Sequence, residues 1–113
     1  MSEQYLNSLP TLLASVAKIR YGAGGGVARS IDETALMLRM LPERVAIFDS
    51  LITDGSTPKR SVEERLTSFL IRAKAVVYLR NGLDGGDHMS DAEVATVVGW
   101  PLERVKAVMK AVL

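Results

Sequence analysis

The stretch Ser90-Asp-Ala-Glu-Val-Ala-Thr-Val-Val-Gly-Trp-Pro-Leu-Glu-Arg-Val-Lys-Ala-Val-Met-Lys-Ala-Val-Leu113 decides how this chain reads. Ser90 with Glu93 three residues on is the pattern of a capping box, in which the serine hydroxyl and the glutamate carboxylate satisfy each other's backbone amides. Val94 and Val98 recur at a helical spacing until Gly99 interrupts them. Pro101 then opens a second helix, on which Val105 and Val108 form the apolar side. A short capped helix, a glycine turn and an amphipathic helix follow one another within a single short segment. No stretch of the chain alternates with period two for long enough to argue a sheet, so the class is all-α.

Working back from there, the same vocabulary recurs. Leu6, Leu9, Leu12, Leu13, Val16, Ala17 and Ile19 give a first helix, and Pro10 is expected within the first turn of a helix begun at Ser8, where a missing donor does no harm; the alternative is a longer helix kinked at Pro10. Residues 22–26, Gly-Ala-Gly-Gly-Gly, end it. Ser30 with Glu33 opens a second capped helix, and Pro42 starts another reaching about residue 52. Residues 54–60 are dense in turn formers and read as a linker. Ser61 with Glu64 opens the longest helix, to about Arg80. Its apolar positions Val62, Leu66, Phe69, Leu70, Ala73, Val76 and Val77 cover a wide face, and that face is expected to be the spine of the core.

A shift of sixty residues lays one half of the chain on the other without a gap. Leu6 falls on Leu66, Val16 on Val76, Arg20 on Arg80, Gly22 on Gly82, and Gly25 and Gly26 on Gly85 and Gly86. Ser30 and Glu33 fall on Ser90 and Glu93, Ala35 on Ala95, and Glu43-Arg44-Val45 on Glu103-Arg104-Val105. Non-identical pairs keep their character, Leu9 with Phe69 and Ile52 with Val112. Apolar periodicity alone does not match glycines and caps at one offset. The chain therefore reads as a tandem duplication of a three-helix unit, about six helices in all, with units at 1–53 and 61–113 in one compact domain.

Composition narrows the function. A chain of 113 residues can bury a core without staples, and its lack of cysteine excludes disulfides and thiolate metal sites. Mean hydropathy is +0.15, high for so small a chain, and such surplus often serves an interface. No apolar run is long enough to span a bilayer and no secretory signal is evident, so no membrane and a cytoplasmic location are expected. The net charge of +1 means that any affinity for nucleic acid must come from a local patch.

The closing segment resembles the helix-turn-helix of bacterial regulators and sigma factors. Val94, Val98, Trp100, Val105 and Val108 stand where that motif buries apolar side chains, with Trp100 as a core anchor. Ala95 stands where its helices cross closely, and Gly99 at the turn, where positive φ costs glycine almost nothing. The resemblance implies that the helix from Pro101 enters the major groove of duplex DNA with Leu102, Glu103, Lys106, Ala107 and Lys110 outward and Arg104 flanking. Lysine and arginine can meet phosphates or guanine edges, Glu103 a cytosine amino group, and Ser90 and Thr96 are candidates for phosphate positioning. The first unit departs from the pattern: Arg39 replaces the turn glycine, Thr34 takes an apolar place, and its last helix carries one base against two acids. It reads as a scaffold or protein-binding copy.

The expectation is thus a small DNA-binding transcriptional regulator or accessory factor, acting as a homodimer because one weakly charged module binds weakly. The alternative is a protein–protein adaptor, such as an antiactivator or phage-type inhibitor; a packaging or replication accessory role stands third. The acidic Asp84, Asp87, Asp91 and Glu93 weigh against strong binding to DNA. Asp84, Asp87, His88 and Asp91 match no metal-binding spacing, and the glycine run lacks the lysine and hydroxyl of a phosphate loop. With one histidine and no cysteine, neither enzymatic activity nor a cofactor or metal is expected.

Overall fold

The computed structural model describes residues 2–22 and 26–112, and among these it contains helices and no strand. The helices are α1 (Glu3–Ser8), α2 (Thr11–Tyr21), α3 (Ile31–Leu38), α4 (Pro42–Gly55), α5 (Val62–Asn81), α6 (Asp91–Val98) and α7 (Leu102–Val112). They gather into two compact units, Met1–Ser56 and Thr57–Leu113, so that α1 to α4 belong to the first and α5 to α7 to the second. The all-α class stands as read from the sequence. α4 takes in Asp54 and Gly55, so it runs past the start of the expected linker.

The two units repeat each other in backbone detail. α3 and α6 are eight residues each and begin after Ser30 and Ser90, both extended. Both capping boxes close: Glu33 N–H donates to Ser30 Oγ at 3.1 Å and Ser30 N–H to Glu33 Oε1 at 3.1 Å. The second box has the same bonds at 3.1 and 3.0 Å between Glu93 and Ser90. Such a cap stabilises its helix by about 0.5–2 kcal/mol. At α5 only half of the pattern forms, with Ser61 Oγ accepting from Glu64 N–H at 3.0 Å.

The helix ends match as well. α2 and α5 close on left-handed Gly22 and Gly82, at φ 69° and 64°. A side chain there would be strained and would also collide, because a Cβ at Gly82 would lie 2.6 Å from the carbonyl oxygen of Gly86, and one at Gly22 would strike that of Gly26. Gly25, matched in sequence to Gly85, lies outside the described residues. α3 and α6 close on Arg39 and Gly99, after which the amides of Met40 and Trp100 donate back to Ala35 O at 3.0 Å and Ala95 O at 3.2 Å.

Each unit has its own core. In the first, Val16 and Ala17 of α2 meet Ala35 of α3 and Val45, Phe48 and Ile52 of α4, none more than 2% exposed. Thr34, at a place the motif reserves for apolar side chains, is fully buried and satisfies its hydroxyl on the carbonyl of Ser30 at 2.8 Å. In the second, Val76 and Leu79 of α5 meet Val94 and Val98 of α6 and Val105 of α7.

The units diverge at Pro10, and here the sequence reading needs correction. Pro10 is the N-cap of α2 and not a residue of its first turn; Pro10 and Leu9 are both extended, and α1 ends at Ser8. The break lets α1 pack on its own unit, with Leu6 buried and Tyr5 Oη donating to Ile52 O at the end of α4, 2.6 Å away. Leu70 occupies the matching place in α5, keeps its amide, and the helix runs on unbroken for 20 residues. The expected spine is therefore only half a spine. Ala75, Val76 and Leu79 are buried, whereas Val62, Leu66, Phe69 and Leu70 are 45–74% exposed, because α6 and α7 cover only the second half of α5. Ile52 and Val112 part company in the same way, at 0% and 58% exposure.

Candidate nucleic-acid interface

α7 divides cleanly into two sides. Val105 and Met109 are buried and Val108 half-buried, which turns Leu102, Glu103, Lys106, Ala107 and Lys110 to solvent, with Arg104 exposed on the flank. This is the face expected from the amphipathic pattern. Gly99 holds the turn before it at φ 77°, as a tight helix–helix corner requires. Ala95 is half-buried, and its carbonyl accepts the amides of both Gly99 and Trp100.

Trp100 does not anchor the core. It is half-buried at the surface, its ring centroid 5.4 Å from that of Phe69 on α5, and the Arg104 guanidinium lies over it at 5.4 Å. Two further arginines of α5 join this group. Arg65, Ser68, Phe69, Arg72, Trp100 and Arg104 line one open cleft of about 240 Å³. Arg72 also donates from Nη1 to Val98 O, the last carbonyl of α6, which ties the middle of α5 to the turn. Three arginines and an aromatic pair thus line one cleft at the start of α7, with no acidic residue among those lining it.

Arg65, Arg72 and Phe69 escaped the sequence reading of the site because they lie outside residues 90–113. A signal was present: two arginines seven residues apart, two turns of helix, share one side of α5 with Phe69 between them. Taken alone, the apolar spacing of α5 places Phe69 on the core face, apart from these arginines.

The expected phosphate contacts at α6 fare differently. Ser90 is engaged in its capping box, and the Glu93 carboxylate already sits on the first amide, in the place an anion would take. Those hydrogen bonds from the Ser90 amide and hydroxyl hold the Glu93 carboxyl below its ordinary value. Thr96 is exposed but its hydroxyl donates to Ala92 O at 3.1 Å, which leaves it an acceptor toward any partner. Two of the nearby acids, Asp91 at the start of α6 and Asp84 in the loop before it, are held locally. Asp91 pairs with Arg80 at 2.8 Å, and Asp84 accepts from Gly86 N–H at 3.0 Å. α6, eight residues and therefore about 12 Å long, separates that loop from the Trp100 turn. Among the described residues no three His, Asp or Glu side chains gather as a metal ion would need.

Compared with models of known families, with curated proteins and with solved structures, the chain gives no match. The functional reading therefore rests on the geometry of the site.

Proposed function

We infer that the second unit is a helix-turn-helix module that lays α7 on duplex DNA. The observation that carries this reading is that Arg65, Arg72 and Arg104 line one cleft with Trp100, beside the exposed row Glu103, Lys106, Ala107 and Lys110. A helix seated in the major groove meets base edges along its outward row and phosphates along its flanks. The arginine cleft is on the flank, and its planar donors suit phosphate oxygens. The unit carries nine bases against seven acids, a small surplus made effective by this clustering. In biological terms the reading is a small regulator or accessory factor of transcription.

A salt titration on random duplex DNA tests it. Binding that weakens steadily with salt is expected, and each lost phosphate contact should lower the logarithmic slope by about 0.9. Replacing Arg65, Arg104 and Lys106 with alanine, all three exposed, should remove most of the affinity while leaving the helical spectrum intact. A wild-type chain with no affinity at low salt would end this reading.

A second reading, a protein adaptor, draws on the first unit. Asp32, Ala35, Leu36, Arg39, Met40 and Pro42 line an open and largely apolar cleft of about 450 Å³. Leu36 and Met37 beside it are 80% and 53% exposed. A partner helix would fit such a groove, and an affinity pull-down that loses its partner on Leu36→Asp would favour this reading over the first.

A further inference from the structure

The face that α1 covers in the first unit stands bare in the second. At the offset of sixty, residues 2–10 of the first unit correspond to residues 62–70 of α5. In the first unit this segment packs back on α2 and, through Tyr5, on the end of α4; Leu6 in it is buried, as are Leu13 of α2 and Phe48, Leu51 and Ile52 of α4. In the second, the segment is the first half of α5, and it meets its own unit at Phe69, whose ring lies against Trp100, while Leu66 and Leu70 stay exposed. The counterparts show the loss: Leu66 is 56% exposed, Val112 58%, and Ala73 and Val108 are only half-buried.

We propose that a second copy of this chain covers this face, the two α5 helices pairing antiparallel across a two-fold axis. Each copy then lends the other the segment that the first unit supplies to itself. The sequence of α5 fits the pairing. Leu66, Leu70, Ala73 and Val77 are spaced four, three and four, the seam of two helices packed side by side. About a common centre, Leu66 of one copy faces Val77 of the other and Leu70 faces Ala73. The small alanine opposite the leucine lets the helices approach.

Charge selects the antiparallel sense. The first half of α5 carries Glu63, Glu64 and Arg65, a net −1, and its second half Arg72, Lys74 and Arg80, a net +3, with Arg80 also paired to Asp91. Antiparallel pairing sets acids against bases at both ends, whereas parallel pairing sets like against like. The interface is isologous, so both copies present the same patch and the assembly closes at two. It leaves the outward face of α7 open, and it does not depend on what that face binds.

Light scattering and disulfide trapping on the full chain test the proposal. The wild type should be a dimer at high micromolar concentration. Leu66→Arg with Leu70→Arg, both at exposed positions, should raise the dissociation constant at least about tenfold with no loss of helicity. The chain has no cysteine, so Leu66→Cys with Val77→Cys introduces the only thiols. They lie eleven residues apart on one helix, about 16 Å, too far to bridge within a chain. Mild oxidation should yield a covalent dimer, which either single variant cannot form through this pairing. A monomeric wild type, a dimer indifferent to the two arginines, or a double-cysteine chain that stays unlinked would each overturn the proposal.

Discussion

Arg39 and Gly99 stand sixty residues apart and close their helices with the same left-handed backbone, φ 55° and 77°. Glycine takes this conformation freely, whereas for a residue with a Cβ it costs about 1–2 kcal/mol. The first unit therefore keeps the corner of the motif with a residue that resists it. Arg39→Gly should stabilise the chain by about 0.5–1 kcal/mol, the relief of strain being partly offset by the freer unfolded chain. Gly99→Ala should do the reverse at about 1–2 kcal/mol, since its new Cβ would also lie 3.4 Å from Arg72 Nη1. Urea melts of the two variants check both signs.

The two capping boxes set an acid limb to stability. Hydrogen bonds from the backbone amide and then the hydroxyl of Ser30 hold the Glu33 carboxyl below its ordinary value of 4.5, and Ser90 does the same for Glu93. A carboxyl lowered in the folded state contributes stability above its unfolded pKa and loses it as pH falls through the folded value. The urea midpoint should hold from neutrality to about pH 4.5 and then decline. Glu33→Gln with Glu93→Gln, which can keep the hydrogen bonds without the titration, should flatten that decline.

Arg65 and Arg72 face one cleft but do different work. Arg72 donates to the carbonyl of Val98 and so closes α6 onto α5, while Arg65 is exposed. Arg72→Ala should cost about 1–2 kcal/mol of stability as well as DNA affinity. Arg65→Ala should leave stability within about 0.5 kcal/mol and lower affinity and salt slope alone. Trp100, the one tryptophan, reports on both events. If the proposed DNA binding holds, its emission should shift when duplex DNA is added.

In the first unit a polar cluster replaces part of what the second achieves by packing. Tyr21 Oη donates to Asp49 Oδ1 and lies 3.3 Å from Thr53 Oγ1, with Arg20 Nε 3.7 Å from the same carboxylate. Burial, followed by the bond to Asp49, raises the tyrosine above its ordinary value of 10.0. The neutral form is the one the fold favours, so its contribution is full below pH 10 and is lost as pH rises through the raised pKa. Tyr21→Phe should cost about 1–2 kcal/mol at neutral pH and remove one step above pH 10 from the tyrosine absorbance titration.

The repeat, the capped helices and the turn were legible because caps and left-handed glycines are local devices that leave local marks. Ser30, Ser90, Gly82 and Gly99 sit where the pattern puts them. The outward row of α7 was legible for the same reason, a single helix with a clean apolar side. What was hidden depends on neighbours. Phe69 and Leu66 have a core residue's chemistry and spacing, and nothing local says that α6 and α7 stop short of them. Trp100 reads as an anchor until Phe69 is found against its ring. The cleft needed both corrections, since its arginines belong to a helix outside the motif.

Pro10 is the one residue whose replacement should make the first unit behave like the second. Its ring and missing donor favour the extended pair Leu9 and Pro10, and so direct α1 onto α2 and the end of α4. Leu70 at the matching place leaves α5 straight. Pro10→Leu removes the barrier to one continuous helix, and the outcome weighs local preference against packing. Straightening would withdraw Leu6 and the Tyr5 bond to Ile52, a loss of about 2–4 kcal/mol partly returned by helix propensity. It would also expose a second apolar face. The expected result is a lower melting temperature, more binding of an apolar dye and stronger self-association than the wild type. If melting and association are unchanged, the burial of Leu6 and the Tyr5 hydrogen bond hold the bend without the proline, and the break in α1 belongs to packing and not to residue 10.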